Sequence, residues 1–316
     1  MKQKKTKRRA KTLGLFEIMQ MYPTEESAFQ YFEGLRWGDK PVCMKCGCDE
    51  KITKQKNYKK GYWCGSCRSY FTAFTGTPME HSRVKDMRKW LFAAYLLMTA
   101  RKGISSLQLS KELSVTQTTA WYMLHRLRLA CGEDMQALKG QVEVDATYLG
   151  GKVKNMSNTR RKEHEGRGTV GKQAVMGMRE REGNTVAMPV ASEDQETVKQ
   201  AVKAQIEPGT TIYTDEHRGY SVIGKLPYGH ETVNHSAKEF VNGMAHTNGM
   251  ESVWAVMKRG FHGVYHHWSV KHCAQYVNEF TFRLNEGNVE IDTQDRLNSL
   301  FRAMKDKTIT YEELTA

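Results

Sequence analysis

The chain has 316 residues, enough for two or three domains with buried cores. Residues 1–140 hold 26 Lys and Arg against 12 Asp and Glu, a net charge of +14, whereas residues 141–316 hold 22 against 23. A hydrophobic content of 39% excludes a chain disordered throughout, and the longest apolar run, residues 90–100, is about half the roughly 20 residues that cross a membrane. We therefore expect a soluble, cytoplasmic, nucleoid-associated protein whose basic first half holds a polyanion.

The apolar pattern of the first half is that of helices around a cysteine-rich unit. A basic arm and a short helix occupy residues 1–40, and the cysteine-rich unit spans 41–75. Helical periodicity then predicts a domain over residues 80–135, with helices at 84–100, 105–113 and 116–130.

After residue 141 the periodicity changes to that of strands. Strands are predicted at 141–149, 173–181, 185–190, 211–214 and 230–234. Helices are predicted at 193–206, 249–259 and 270–284. This order predicts a multidomain α+β protein in which residues 141–287 form an RNase H-like α/β domain and 288–316 a helical tail.

Four of the seven cysteines form two close pairs, Cys43 with Cys46 and Cys64 with Cys67. Two residues separate the members of each pair and 17 residues separate the pairs, which is the spacing of a zinc ribbon. Each pair turns two thiolates toward one ion, so the four complete a tetrahedron with no open position. The sequence therefore predicts a structural Zn²⁺ at residues 41–75, and unrelated buried thiols are the alternative.

The helices at 105–113 and 116–130 are joined by a short turn, as in a helix-turn-helix. With Thr116 as N-cap, the second helix would present Gln117, Thr118 and Tyr122 to base edges, with Arg126 and Arg128 near phosphates. A helical bundle that binds nothing is the alternative. The local positive charge and the adjacent ribbon favour binding of double-stranded DNA.

Three carboxylates follow or lie on elements of the predicted α/β domain: Asp145, Asp215 and Glu251. Two Mg²⁺ ions held by such groups can activate an attacking hydroxyl and stabilise the leaving oxygen of a phosphodiester. Lys258 lies two helical turns after Glu251, on the same face, where it can contact DNA phosphate. The alternative is that the aspartates are ordinary residues at strand ends.

Basic residues between the first two strands of this domain are expected to contact DNA phosphates, although a solvated loop is the alternative. They include Arg160, Arg161, Lys162 and Lys172.

Several motifs of the second half and the two ends of the chain occur together. They are His246-Thr-Asn248-Gly-Met-Glu251-Ser-Val-Trp254-Ala-Val-Met-Lys258-Arg259-Gly260, Gly263-Val-Tyr265-His266-His267, Tyr276-Val-Asn-Glu279-Phe280 with Arg283, Gly150-Gly151, Tyr213-Thr-Asp215 and Thr310-Tyr311-Glu-Glu-Leu. With the cysteine quartet, this set resembles the ISXO-like insertion-sequence transposases of bacteria over roughly residues 20–314.

The resemblance implies a DDE-type transposase that cuts and joins DNA with Mg²⁺ in an RNase H-like domain. Asp145, Asp215 and Glu251 are the expected ligands of two ions, and Asn248, one turn before Glu251, is a supporting or alternative ligand. Lys258 and Arg259 are expected to contact DNA.

We expect the ribbon and helix-turn-helix to recognise terminal inverted repeats while the catalytic domain cuts and transfers strands into target DNA. Joining two ends requires at least a homodimer on DNA. One rival is a DNA-binding regulator with an inactive RNase H-like domain. The other is a hydrolytic nuclease of the same fold, such as a junction resolvase, which would cut without joining.

Overall fold

In the computed structural model of the chain, the described residues are 10–56, 61–132, 137–150, 158–159, 172–181, 183–233, 246–287 and 291–315. The chain divides into two compact units: residues 1–131 with 286–316, and residues 132–285. None of the helices in the described residues is long and apolar enough to cross a membrane.

The helices and strands are numbered in chain order. The helices are α1 (Leu15–Met21), α2 (Glu25–Trp37), α3 (Met87–Thr99), α4 (Ser106–Leu113), α5 (Gln117–Cys131), α6 (Gln195–Gln205), α7 (Asn248–Gly260), α8 (Cys273–Glu286), α9 (Thr293–Arg302) and α10 (Tyr311–Thr315). The strands are β1 (Ile52–Lys54), β2 (Tyr62–Cys64), β3 (Ser69–Phe71), β4 (Gln141–Leu149), β5 (Gln173–Glu180), β6 (Thr185–Val190), β7 (Thr211–Asp215) and β8 (Gly229–Val233).

The first unit combines a small antiparallel sheet, β1-β2-β3, with helices from both ends of the chain. Helix α9 packs on α2, where the rings of Phe32 and Phe301 lie 5.4 Å apart. The Tyr31 hydroxyl donates to Asn298 Oδ1 at 2.7 Å. The segment expected as a C-terminal tail therefore contributes to the core of the first unit.

Helices α4 and α5 lie where the periodicity predicts them. Ser114 ends α4 in the left-handed region, and the Thr116 hydroxyl accepts from the Thr119 N–H at 3.2 Å at the start of α5. The short turn and the Thr116 cap agree with the sequence expectation.

The second unit is built on a mixed five-stranded sheet with the order β6-β5-β4-β7-β8. Strand β4 is antiparallel to β5 and parallel to β7, β5 is antiparallel to β6, and β7 is parallel to β8. All five strands occur within one or two residues of their predicted positions.

Apolar residues cover both faces of this sheet, because side chains alternate along each strand. On one face, Val142 and Val144 pack with Val202 of α6. On the other face, Val175 packs with residues of α7 and α8, including Trp254. The sheet is thus the middle layer of an α/β unit, and Asp145 faces the α7 side.

Candidate active site and zinc centre

The four paired cysteines of the ribbon converge, and their Sγ atoms all lie within 4.8 Å of one another. Cys43 Sγ is 3.6 Å from Cys67 Sγ, and Cys46 Sγ is 3.6 Å from Cys64 Sγ. Tetrahedral Zn²⁺ with Zn–S bonds of about 2.3 Å requires sulfur atoms about 3.8 Å apart. The arrangement fits a structural zinc site.

Backbone N–H groups of the first cysteine turn lower the pKa of the Cys43 thiol. Burial raises the pKa of Cys43, but N–H groups of Lys45 and Cys46 donate to its sulfur and, with the neighbouring thiols, lower the pKa to about 7. A thiol with this pKa readily becomes the thiolate that binds zinc. Cys48 is outside the quartet, and its sulfur accepts from the Ser66 hydroxyl at 3.1 Å.

Asp145 and Asp215 lie at the same level on neighbouring parallel strands. The last residue pair of β4 and β7 is Glu143 with Tyr213, and the same register continued for two residues would place Asp145 opposite Asp215. Asp215 ends β7, and its Oδ1 accepts from the His217 N–H at 3.0 Å. The charge of Asp215 adds to the raised pKa of Asp145, so the two carboxylates are near enough to influence each other.

The Asp145 carboxylate is mostly buried and carries an unfavourable charge. Burial, opposed by a 2.8 Å hydrogen bond from Trp254 Nε1 and reinforced by the charges of Asp215 and Glu193, raises the pKa of Asp145 to about 6. A carboxyl group in such surroundings is stabilised as an anion when a cation binds beside it.

Glu193 is a third carboxylate near Asp145, and the sequence interpretation assigned it to a helix. Helix α6 begins only at Gln195 after the Asp194 cap, so Glu193 lies in the preceding loop. Its Oε1 accepts from the Tyr220 hydroxyl at 2.8 Å and its Oε2 from the Tyr148 hydroxyl at 3.2 Å. An acidic residue three positions after the end of β6 was the available signal.

Helix α7 packs closely against the centre of the sheet because Gly177, the partner of Asp145 on β5, has no side chain. A Cβ at Gly177 would lie 2.6 Å from Trp254 Cη2. The close approach of α7 is what brings the Trp254 indole within hydrogen-bonding distance of Asp145.

Glu251 and Lys258 are both exposed on α7, and Asn248 is exposed at its first turn. Arg259 is exposed in the last turn of the helix. Among the described residues, the cysteine quartet alone gathers three or more possible ligand atoms within 4.8 Å, so Glu251 is not in such a cluster with the aspartates.

The predicted DNA-reading residues of α5 have different environments. Gln117 and Thr118 are exposed, whereas Tyr122 is half-buried with its ring 4.8 Å from that of Tyr311. Arg126, expected near phosphates, is instead buried, and its Nη1 donates to the carbonyls of Pro78 and Glu80. Its guanidinium ties residues 78–80 to α5 because backbone carbonyls of that segment surround it.

The basic residues between β4 and β5 are only partly within the described residues. Arg160, Arg161 and Lys162 lie outside them, and Lys172 is half-buried just before β5.

Each of the two units contains a segment that matches a known protein family. Residues 23–69 match a transposase zinc-ribbon domain, and residues 137–285 match an ISXO2-like transposase domain. The second unit is similar to the ISXO2-like transposase domain family over nearly its whole length. Both matches agree with the resemblance seen in the sequence, and the candidate site lies within the transposase domain.

Individual relatives are more distant. The chain is 28% identical over 249 residues to an uncharacterized protein in transposable element ISH50 of Halobacterium salinarum, covering 75% of this chain and 83% of that protein. It is 29% identical over 101 residues to an uncharacterized transposase-like protein of Haemophilus influenzae, covering 31% of this chain and 76% of the other.

Among solved structures, a chain of the simian T-cell lymphotropic virus intasome in complex with PP2A regulatory subunit B56 gamma matches with a TM-score of 0.30 and 14% identity. The match covers 61% of this chain and 65%, just under two thirds, of that chain.

Proposed function

We propose that this transposase cuts a DNA strand at each end of an insertion sequence and joins the freed 3′-OH to target DNA in an Mg²⁺-dependent reaction. The observation that carries the proposal is the pair Asp145 and Asp215, level on adjacent parallel strands of an ISXO2-like transposase domain. The strand order β6-β5-β4-β7-β8, with helices on both faces, supports an RNase H-like domain.

The donor set fits Mg²⁺, which prefers carboxylate oxygens. Asp145 and Asp215 would hold two ions, with Glu251 as the third ligand and Asn248 as a supporting or alternative ligand. Mg²⁺ bound there would activate the attacking oxygen and stabilise the leaving oxygen. The raised pKa of Asp145 supports this assignment, because a cation offsets the cost of its buried charge.

Residues of the chain prepare this chemistry in separate ways. The Trp254 N–H fixes the orientation of the Asp145 carboxylate. Lys258, exposed on the helix that carries Glu251, would bind a DNA phosphate and align the strand. Arg259 would make a similar contact, as would Lys172 with Arg160, Arg161 and Lys162.

Recognition of the terminal inverted repeats is assigned to the first unit. Helices α4 and α5 with their short turn would act as a helix-turn-helix, with Gln117 and Thr118 toward the bases. Tyr122 can take part if its contact with Tyr311 opens, whereas Arg126 acts inside the protein. The zinc ribbon would add affinity for double-stranded DNA, and at least two copies of the chain would hold the two ends.

The test incubates purified protein with DNA carrying the element's flanks, a target plasmid and Mg²⁺, and sequences every new 3′ end and junction. Asp145→Asn should abolish both cuts and junctions while retaining DNA binding. A matched control is Glu207→Gln, an exposed substitution in the same unit, which should retain both.

Each alternative outcome contradicts the proposal in a different way. Cuts without junctions would identify a hydrolytic nuclease. Binding to the flanks with no cuts by the wild-type protein would identify a DNA-binding regulator. Undiminished cutting by Asp145→Asn would refute the assigned ligands.

A further inference from the structure

Glu143 is a buried carboxylate that the proposed chemistry does not use. It lies on β4 two residues before Asp145, on the same face of the sheet, and is 1% exposed. An isolated charge in such a position is costly unless several donors satisfy it. The groups around Glu143 therefore indicate its role.

Two groups donate hydrogen bonds to Glu143, the Arg181 side chain and the Met250 N–H, and the His246 ring lies beside it just before α7. Arg181 Nε lies 3.2 Å from Oε1, and His246 Nδ1 lies 3.2 Å from the same oxygen. The Met250 N–H, in the first turn of α7, donates to Oε2 at 3.0 Å. Strand β4 thus places an anion at the positive, N-terminal end of α7, the helix turn that also contains Glu251.

Arg181 connects Glu143 to β7 and to the segment that precedes α7. Its Nη2 donates to the His246 carbonyl at 3.0 Å, and its guanidinium carbon lies 4.0 Å from the centre of the Tyr213 ring. Tyr213 precedes Asp215 by two residues on β7. The elements that carry all the proposed metal ligands therefore meet around one carboxylate.

Gly249 shows that the first turn of α7 packs closely against the Glu143 side chain. A Cβ at this position would lie 2.6 Å from Glu143 Oε2. The carboxylate has little freedom to retreat, because Arg181, His246 and the Met250 N–H hold it from separate directions.

We propose that Glu143 is a positioning residue that fixes the first turn of α7, and with it Asn248 and Glu251, relative to Asp145 and Asp215. The proposal rests on the proposed function, since it assumes that these residues share a metal site. A carboxylate suits the task because one oxygen accepts from the Met250 N–H while the other accepts from Arg181 and lies 3.2 Å from His246 Nδ1. Its effect reaches the metal site through the helix, with no contact to DNA or metal.

The first test replaces Glu143 by Gln, which preserves volume but presents an NH₂ group to the Arg181 side chain or to the Met250 N–H. Hydrogen exchange of the amides in the first turn of α7 should rise about tenfold or more. The Mg²⁺ concentration for half-maximal strand cutting should rise about tenfold, as for other groups that orient metal ligands. DNA affinity, measured without Mg²⁺, should stay unchanged.

The matched control is Glu279→Gln. Glu279 is fully buried in the same unit and pairs with Arg283, so its loss also leaves a buried arginine without its anion. It lies on α8 and accepts from the Tyr265 hydroxyl at 2.6 Å, away from the first turn of α7. Glu279→Gln should lower stability while leaving the Mg²⁺ response and exchange at α7 unchanged.

A second variant, Gly249→Ala, separates positioning from stability. The added Cβ would displace the Glu143 carboxylate and lower stability despite the helix preference of alanine, so a merely structural role predicts lower stability with a normal Mg²⁺ response. The contact with Glu143 instead predicts about a tenfold higher Mg²⁺ requirement. In a variant that combines Gly249→Ala with Glu143→Gln, the two increases in the Mg²⁺ requirement should be less than additive, because both substitutions alter the same contact between α7 and Glu143.

Equal Mg²⁺ responses in wild type, Glu143→Gln and Gly249→Ala, or a matching change in Glu279→Gln, would overturn the proposal. Unchanged exchange at α7 in Glu143→Gln would also overturn it. If the wild-type protein cuts no DNA, the proposed function fails, whereas the exchange measurement still reports whether Glu143 holds the helix.

Discussion

Replacing Asp145 by Asn should raise the free energy of unfolding of the second unit while removing a proposed metal ligand. Burial of the carboxyl group is the main reason that its pKa rises from 3.8 to about 6, and the charges of Asp215 and Glu193 add to it. The amide keeps an oxygen that can accept from Trp254 Nε1, which donates to Asp145 at 2.8 Å. The substitution therefore removes the charge while retaining the hydrogen bond.

The size of the effect follows from the pKa difference between the folded and unfolded states. Each pKa unit corresponds to 1.36 kcal/mol, so a rise of about two units means that the charged Asp145 side chain costs about 3 kcal/mol. Because the folded-state pKa is the higher one, this penalty is absent below about pH 4 and develops as the pH rises to about 6. The free energy of unfolding of Asp145→Asn should exceed that of the wild type by about 3 kcal/mol at pH 7.5 and by about half of that at pH 5.

Urea unfolding monitored by hydrogen exchange of β4 and β5 peptides reports on the second unit alone. The buffer should lack Mg²⁺ and contain no chelator, since a chelator would strip zinc from the ribbon. Glu207→Gln, an exposed change in the same unit, should alter stability by less than about 0.5 kcal/mol.

Equal or lower stability of Asp145→Asn at pH 7.5 would refute the reasoning that the buried charge is unfavourable. A stability gain that does not diminish toward pH 4 would show that the amide acts by some route other than the lost charge. Added Mg²⁺ should stabilise the wild-type protein and leave Asp145→Asn unaffected.

Three further predictions concern the ribbon, the sheet and the DNA surface. Cys43→Ser should abolish zinc binding, measured by metal analysis, and weaken DNA binding, whereas Cys48→Ser should retain zinc because Cys48 lies outside the quartet; loss of zinc in both variants would contradict the assignment. Gly177→Ala should destabilise the second unit by about 1–3 kcal/mol and impair cutting, because its Cβ would meet the Trp254 ring at 2.6 Å. Gly224→Ala, whose Cβ would meet His230 only at 4.0 Å, is its control, and equal effects in thermal unfolding would argue against the packing explanation. Lys258→Ala should slow cutting and reduce the slope of log affinity against log salt by about 1, while Lys225→Ala, also exposed in this unit, should leave both unchanged; an unaltered salt slope for Lys258→Ala would remove it from the DNA surface.

The positions of the strands and of the cysteine quartet could be predicted because they depend on local spacing. Alternation of apolar residues marks β4, and two C-x₂-C turns are sufficient to specify a zinc ribbon. The placement of Asp145 and Asp215 on neighbouring strands was expected from the order of the elements, and β4 does lie beside β7. These features need no knowledge of which side chains meet across the unit.

The contacts of Arg126, Glu143 and Glu193 could not be predicted in this way. Helical periodicity put Arg126 on an outer face, but residues 78–80 cover it and use its guanidinium. Glu143 and Asp145 are both carboxylates on the same face of β4, and only the position of α7 determines that one accepts from the Met250 N–H and the other from the Trp254 indole. Such roles depend on tertiary packing, which residue spacing does not encode.

The first unit is discontinuous in sequence, with residues 1–131 and 286–316 on either side of the second unit. During synthesis, the ribosome therefore releases every residue of the second unit before α9 can dock on α2. The Tyr31–Asn298 hydrogen bond and the Phe32–Phe301 contact can form only after residues 298 and 301 have been translated. A frameshift or stop codon after residue 285 would leave the sheet that carries Asp145 complete but the core of the first unit unfinished. Truncated copies of the gene would then produce the second unit without an intact first unit.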